Sequence, residues 1–244
     1  MMRDMQKEMT EYLKILINRY LYIDSLNKQV IQLTKWSSSL HRDAYEAGDY
    51  FFDLTKYTFG RTMLLELCKL TSRREERSMI NWLDTALTKS KTLCASEYDR
   101  TTEPGRERKE LSQCEYESVI NSQLKQIHVH KQTIEHLHGR RDKVIAHADK
   151  HYFGDSKKVY KDFPLKDLDI SNLMQTICSI LKKQFSLLLY ANMTMEVYAS
   201  SDVSNLLRQV LAARRLWRDG RILSKYKIRV ADYFKVDWGE DIEY

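Results

Sequence analysis

The chain has 244 residues, of which 43% are hydrophobic and 30% charged, with 40 Lys and Arg against 34 Asp and Glu. This balance suits a globular protein with a real core and argues against a disordered chain. Two prolines and seven glycines in the whole length are too few for a turn-rich β fold, so the composition predicts an all-α protein.

Four cysteines (Cys68, Cys94, Cys114, Cys178) lack the paired spacing of a zinc site or a disulfide framework and read as reduced thiols in a cytosol. The stretch MMRDMQKEMTEYLKIL alternates charge with apolar residues, as neither a secretory signal nor a membrane-spanning start does. The strongest apolar run, FSLLLYAN, is far short of the roughly 20 residues a spanning helix needs. A cytoplasmic protein with no membrane partner is expected.

A first helix is predicted from about residue 4 to 36, where Leu13, Leu16, Ile17, Tyr20, Leu21, Leu26, Val30, Ile31 and Leu33 recur mostly at three- and four-residue intervals. A second follows the polar SSSLHRD and carries Tyr50, Phe51, Leu54, Tyr57, Met63, Leu64, Leu67 and Leu70, with Gly48 and Gly60 as weak points. Its aromatics at helical spacing read as core. SRREERS (residues 72 to 78) is a charged break before a shorter helix in SMINWLDTAL. Residues 95 to 110, with the only Pro-Gly dipeptide, read as a mobile loop between two helical halves. From Cys114 to about Lys150 one long helix is predicted, and HYFGDSKKVYKDFP breaks it. DISNLMQTICSILKKQFSLLLYANMTMEV then starts at an Asp or Ser cap and continues to about residue 198.

The division expected is a helical domain over 1–200 and a basic C-terminal extension over 201–244. Between Leu206 and Val230 stand eight basic residues (Arg208, Arg214, Arg215, Arg218, Arg221, Lys225, Lys227, Arg229) against one acidic (Asp219). The whole chain carries only +6, so this segment accounts for its basic character. Such a cluster favours a polyanion by counterion release, with a solvated helix face as the plainer reading. Arg214, Arg215, Arg218 and Arg221 are the nucleic-acid contacts predicted from it.

The stretch RRDKVIAHAD (residues 140 to 149) sets two arginines, an aspartate and a histidine among small apolar residues. On a straight α-helix Arg140 and His147, seven steps apart, fall within about 20° of one another and roughly 10 Å apart along the axis. Arg141 falls in the apolar row of Ile134, Leu137 and Val144, where a guanidinium needs an anion or a wet cleft. The residues allow either an ion-pair network that fixes a helix end or a functional site. His147 and His151 stand at i and i+4, but no HEXXH pattern is present and Gly154 suggests that the helix has ended, so no metal and no other cofactor is expected. His128, His130, His136 and His138 have no i, i+4 pair and read as surface residues.

Arg141-Asp142-Lys143-Val144-Ile145-Ala146-His147 resembles the signature of HEPN domains, an arginine followed after a few residues by a histidine; here five intervene. Together with FGRTMLLELCKL, SMINWLDTAL and the helix after DFPLKDLDI, it is similar to their abortive-infection subgroup over roughly residues 5 to 198. The resemblance implies an elongated, multi-helix HEPN-like bundle that dimerises to bring two motifs into one cleft, and in active members a metal-independent endoribonuclease. On this reading Arg141 and His147 are catalytic, with Asp142 orienting a partner side chain. Arg140, Lys143 and Lys150 are candidate substrate contacts. An imidazole of pKa about 6.5 can take a proton from a ribose 2′-hydroxyl or give one to the leaving 5′-oxygen. A guanidinium can grip two phosphate oxygens as charge builds on phosphorus. Products would be a 2′,3′-cyclic phosphate and a 5′-hydroxyl. Partners implied are RNA, a second copy and, as in toxin-antitoxin relatives, an antitoxin protein. Where some relatives carry a modifiable tyrosine two positions after the histidine, this chain has Asp149. The rival readings are a non-catalytic HEPN dimer that binds RNA or a protein, and a regulatory helical protein that binds a nucleotide.

Overall fold

The structure, a computed structural model, describes residues 2–38, 42–93, 95–98, 108–145, 156–189, 195 and 202–218. They are mostly helical, as the composition predicts. In chain order the helices are α1 (Met2–Ser38), α2 (Arg42–Tyr45), α3 (Asp49–Thr71), α4 (Met79–Thr88), α5 (Gln113–Val129), α6 (Lys131–Arg140), α7 (Ser156–Asp162), α8 (Asp167–Leu189) and α9 (Asp202–Arg218). Short 3-10 turns occupy Glu46–Gly48 and Ser90–Thr92, and a π-helical turn covers Arg141–Ile145. None of the described helices is long and apolar enough to cross a membrane.

The chain divides into two compact units, one made of Met1–Asn27 and Phe59–Val197, the other of Lys28–Thr58 and Tyr198–Tyr244. The core of the first is built on α1, where Met9, Leu13, Leu16, Tyr20 and Ile23 form a buried stripe at three- and four-residue spacing. Against it lie Leu67 and Leu70 of α3, Trp82 and Leu83 of α4, Tyr116 and Ile120 of α5, and Leu173, Ile177 and Leu181 of α8. Within this apolar core Tyr116 donates its hydroxyl to Gln184 Oε1 at 2.9 Å, and Gln184 Nε2 donates to Gln123 Oε1 at 2.6 Å. Each amide thus offsets the desolvation of the other.

The helix ends are fixed by local chemistry. Ser78 caps α4, its Oγ accepting from Asn81 N at 3.2 Å. Ser112 and Glu115 form a reciprocal capping box at the start of α5, which begins one residue earlier than periodicity alone suggests. The charged break between α3 and α4 is a pinned turn. Asn81 Nδ2 donates to the carbonyls of Arg73 and Glu75, Tyr12 of α1 donates to those of Glu76 and Ser78, and Arg73 pairs with Asp84 at 2.6 Å.

The second unit has its own small core of Leu33, Trp36, Tyr45, Phe52 and Leu207, with Val203, Val210 and Leu211 of α9 packed on it. Ser204 of α9 donates to Gln32 Oε1 at 2.7 Å and accepts from Trp36 Nε1 at 3.4 Å.

Four expectations change. The loop expected over 95 to 110 contains two paired strands, β1 (Ser96–Tyr98) and β2 (Arg108–Glu110), in antiparallel register with Ser96 opposite Glu110 and Tyr98 opposite Arg108. Three-residue strands are too short to show a period-two signal. The long helix predicted from Cys114 breaks at His130, whose backbone (φ −92°, ψ 14°) leaves the helical region although no Gly or Pro marks the place. The break expected at HYFGDSKKVYKDFP contains the short helix α7. Finally, Tyr50, Phe51 and Tyr57, read as core, are 79%, 60% and 60% exposed, and Phe52 takes the buried position. Both faces of that helix carry aromatics, so spacing alone does not choose between them.

Candidate functional site

Arg140 closes α6, and Arg141, Asp142 and Lys143 begin the π turn that follows. A π turn replaces i→i+4 bonds by i→i+5 and advances less than 100° per residue, and such turns recur at functional sites. The straight-helix alignment of Arg140 with His147 therefore does not carry across Arg141–Ile145. His147 itself, with Lys150, the His147 and His151 pair weighed for a metal, and Asp149, lies outside the described residues.

Arg141 is placed where its guanidinium needs an anion. Its side chain is 17% exposed and its Nε donates to Asp142 Oδ1 at 2.7 Å, while Asp142 is 47% exposed. That hydrogen bond holds the Asp142 carboxyl below the usual carboxylate range and raises the already high pKa of Arg141. A carboxylate with a depressed folded-state pKa adds its stabilisation above the unfolded value and loses it as pH falls through the folded one. The pair is thus intact at neutral pH.

Three more elements bring groups to this pair. Cys68, near the end of α3, and Arg74 and Glu75, in the pinned turn after it, lie within charge-interaction range of Arg141, Asp142 or His138. Burial pushes the Cys68 thiol up to about 12, so it is a neutral packing group and not a thiolate nucleophile. His138 sits three residues before Arg141 and four before Asp142, the two offsets that share a helix face. It is half-buried, and burial first, then the Arg141 charge, lowers its pKa, with Asp142 opposing. The ring is therefore neutral at neutral pH.

The other histidines expected on the surface divide. His128 is exposed. His130 Nε2 lies 2.9 Å from Thr176 Oγ1, tying the α5–α6 junction to α8. His136 Nδ1 lies 2.6 Å from the Pro164 carbonyl, which can only accept, so the proton is on Nδ1.

Arg140 is turned to another purpose. Its Nε donates to the Phe163 carbonyl at 2.8 Å and its guanidinium lies 4.7 Å from the Tyr160 ring centroid. Beside it, a Cβ on Gly139 would stand 2.3 Å from the Phe163 ring, so glycine is what lets that ring seat on α6. Lys143 is half-buried in the π turn. Arg214, Arg215 and Arg218 fall in the last turns of α9, in the second unit, and Arg221 lies outside the described residues. An open groove of about 530 Å³ lined by Arg73, Leu124, Lys125, Ile127, His128 and Lys131 is separate from the Arg141 cluster.

The sequence reading missed His138, although its spacing to Arg141 and Asp142 was visible. It had no access to Cys68, Arg74 and Glu75, which are distant in the chain. No family model matches the chain, and no curated protein or solved structure does either.

Proposed function

We propose that this chain is a metal-independent endoribonuclease of HEPN type, a toxin or phage-defence effector that cuts RNA at an Arg/His site shared by two copies. The observation that supports it most is the partly buried Arg141, paired with Asp142 where α6 passes into a π turn and flanked by the neutral His138. With Nε committed to Asp142, the guanidinium is oriented so that its terminal amino groups form the fork that grips a phosphodiester. His147, five residues further on than Asp142, supplies a group able to move a proton at the 2′- or 5′-oxygen. Lys143 and Lys150 add positive charge for the substrate backbone.

The test is incubation of purified full-length protein with matched single-stranded RNA and DNA in EDTA. RNA alone is expected to be cut, leaving 2′,3′-cyclic phosphate and 5′-hydroxyl ends. No cleavage, or cleavage of DNA, overturns the reading.

A second reading, a non-catalytic HEPN dimer that binds RNA or a protein partner, draws on the same Arg141–Asp142 bond, because a guanidinium already holding a carboxylate can serve as a structural clamp. The basic tail would then be the contact. Removing the tail at residue 200 would delete Leu207 from a buried core, so charge removal is the cleaner probe. The triple change of Arg214, Arg215 and Arg218 to Gln is expected to reduce the slope of log affinity against log salt for single-stranded RNA by about 2. An unchanged slope removes these arginines from the contact.

A further inference from the structure

The open groove of about 530 Å³ lies in the first unit, where the pinned turn after α3 and helices α4, α5 and α6 meet. Its floor is aliphatic: Ile80 and Ile127 are buried, and Leu124 and Ile134 are partly buried and packed against the main core. Its rim is cationic, with Arg73, Lys125 and Lys131 against one carboxylate, Glu135. Arg73 is paired with Asp84 at 2.6 Å and Lys131 stands 3.8 Å from Glu135, but Lys125 has no such partner. Asn121, Lys125 and His128 follow one another at four- and three-residue steps, which aligns them along one exposed face of α5. Among the described residues, no hydrogen bond or ion pair holds any of the three. Asn121 and Lys125 also line an adjoining polar hollow of about 440 Å³, to which Ser118 and Ser122 bring hydroxyls. Glu117, on the wall of that hollow, is taken up by Ser90 and Gln113.

The two hollows together select an occupant. No aromatic side chain is among the described residues around the groove, so a nucleobase finds no stacking platform there. From Asn121 to His128 α5 advances only about 10 Å, too short for the roughly 800 Å² per partner that a stable protein interface buries. A volume of about 530 Å³ falls instead within the roughly 300–1,000 Å³ of small-molecule sites. The aliphatic floor favours an apolar body, and an ammonium beside a primary amide and two hydroxyls favours an oxyanion as its head. We propose that this groove binds a small anionic amphiphile, an aliphatic chain ending in a phosphate or a carboxylate. The chain lies over Ile80, Leu124, Ile127 and Ile134. The head sits where the hollows meet, held by Lys125 Nζ and the Asn121 amide with Ser118 and Ser122 beside it. Arg73 and Lys131 add positive potential along the rim. The site is separate from the Arg141 cluster and stands whether or not the nuclease reading does.

The experiment is isothermal titration calorimetry of the full-length protein with octyl phosphate and with octanoate, each below its micelle-forming concentration. Butyl phosphate, inorganic phosphate and octyltrimethylammonium serve as comparisons. One of the two octyl anions is expected to bind with one site per chain. Each buried methylene is worth about threefold in affinity, so butyl phosphate is expected to bind about 50-fold more weakly than octyl phosphate where the head is a phosphate. Inorganic phosphate and the octyl cation are expected to give no measurable heat. Lys125→Glu, a change at an exposed position, is expected to weaken the octyl anion about tenfold or more while thermal unfolding stays as in wild type. Methyl NMR of wild type then locates the chain, through shifts at Ile80, Leu124, Ile127 and Ile134. Failure of both octyl anions to bind, equal binding of the octyl cation, unchanged affinity in Lys125→Glu, or methyl shifts confined to other residues overturns the proposal. Phosphatidylglycerol vesicles distinguish a membrane surface: sedimentation of wild type with them, without binding of either monomeric anion, assigns the face to lipid and overturns the small-molecule site.

Discussion

Replacing Arg141 by alanine is expected to lower kcat/KM for single-stranded RNA by about 10²–10³-fold, the usual cost of removing one preorganised donor to developing charge. Stability is expected to change little. The partner left behind, Asp142, is 47% exposed, and ion pairs with such access to water contribute about 0–1 kcal/mol. Arg141→Lys is expected to fail to restore activity, because an ammonium is a point charge and cannot hold two phosphate oxygens in a plane. His147→Ala is expected to cost about 10²–10⁴-fold, as for loss of a proton-transfer group. Parallel measurement of cleavage and thermal unfolding separates the two meanings of the Arg141–Asp142 bond. A variant that cleaves normally but unfolds more easily makes the pair a structural clamp and removes Arg141 from the chemistry.

Trp82→Ala is expected to give the largest loss of stability, about 3–5 kcal/mol. The side chain is fully buried in the core to which α1, α3, α5 and α8 also contribute, and its Nε1 donates to the Met9 carbonyl of α1 at 3.0 Å. Truncation opens a cavity and also removes a buried hydrogen bond, while the Met9 carbonyl keeps its ladder bond within α1. Against a total of about 5–15 kcal/mol for an ordinary domain, this is a large fraction. Trp82→Phe is expected to recover part of the packing but not the hydrogen bond. Denaturant midpoints at matched slope test the expectation, and a loss below about 1 kcal/mol in Trp82→Ala would show that this tryptophan does not anchor α4 to α1.

Much of the secondary structure could be read from spacing. The stripe of Leu13, Leu16, Ile17 and Tyr20 predicts α1, and the same residues are buried in the structure. The break at SRREERS falls where charge places it, whereas α8 begins at Asp167, two residues before the expected Asp169 cap, and Asp169 accepts from Lys166 N from within the first turn. The misreadings have physical causes. His130 ends α5 through its backbone angles, which neither its own side-chain type nor its neighbours announce. Tyr50 and Tyr57 share a helix with Phe52, and only the packing of Leu33, Trp36 and Leu207 decides that Phe52 is the buried one. The histidines from His128 to His138 look alike in sequence, yet Thr176 and Pro164, contributed from well downstream, separate His130 and His136 from exposed His128.

By itself the amino-acid sequence determined the helical class, because the scarcity of Gly and Pro and the three- and four-residue apolar rhythm are local properties of the chain. It also marked Arg141 and Asp142 as residues in need of an explanation, since charge on an apolar row is visible without coordinates. Only the tertiary structure decided what surrounds them. The π turn shifts the angular phase that a straight helix would give, and the pinned turn after α3 delivers Arg74 and Glu75 from about 65 residues away. It likewise decided that Arg140 is spent on Phe163 and Tyr160 while its neighbour Arg141 is held by Asp142. Adjacent residues on a helix point in directions about 100° apart, so which of two arginines meets an anion and which meets a carbonyl depends on what the rest of the chain packs beside each.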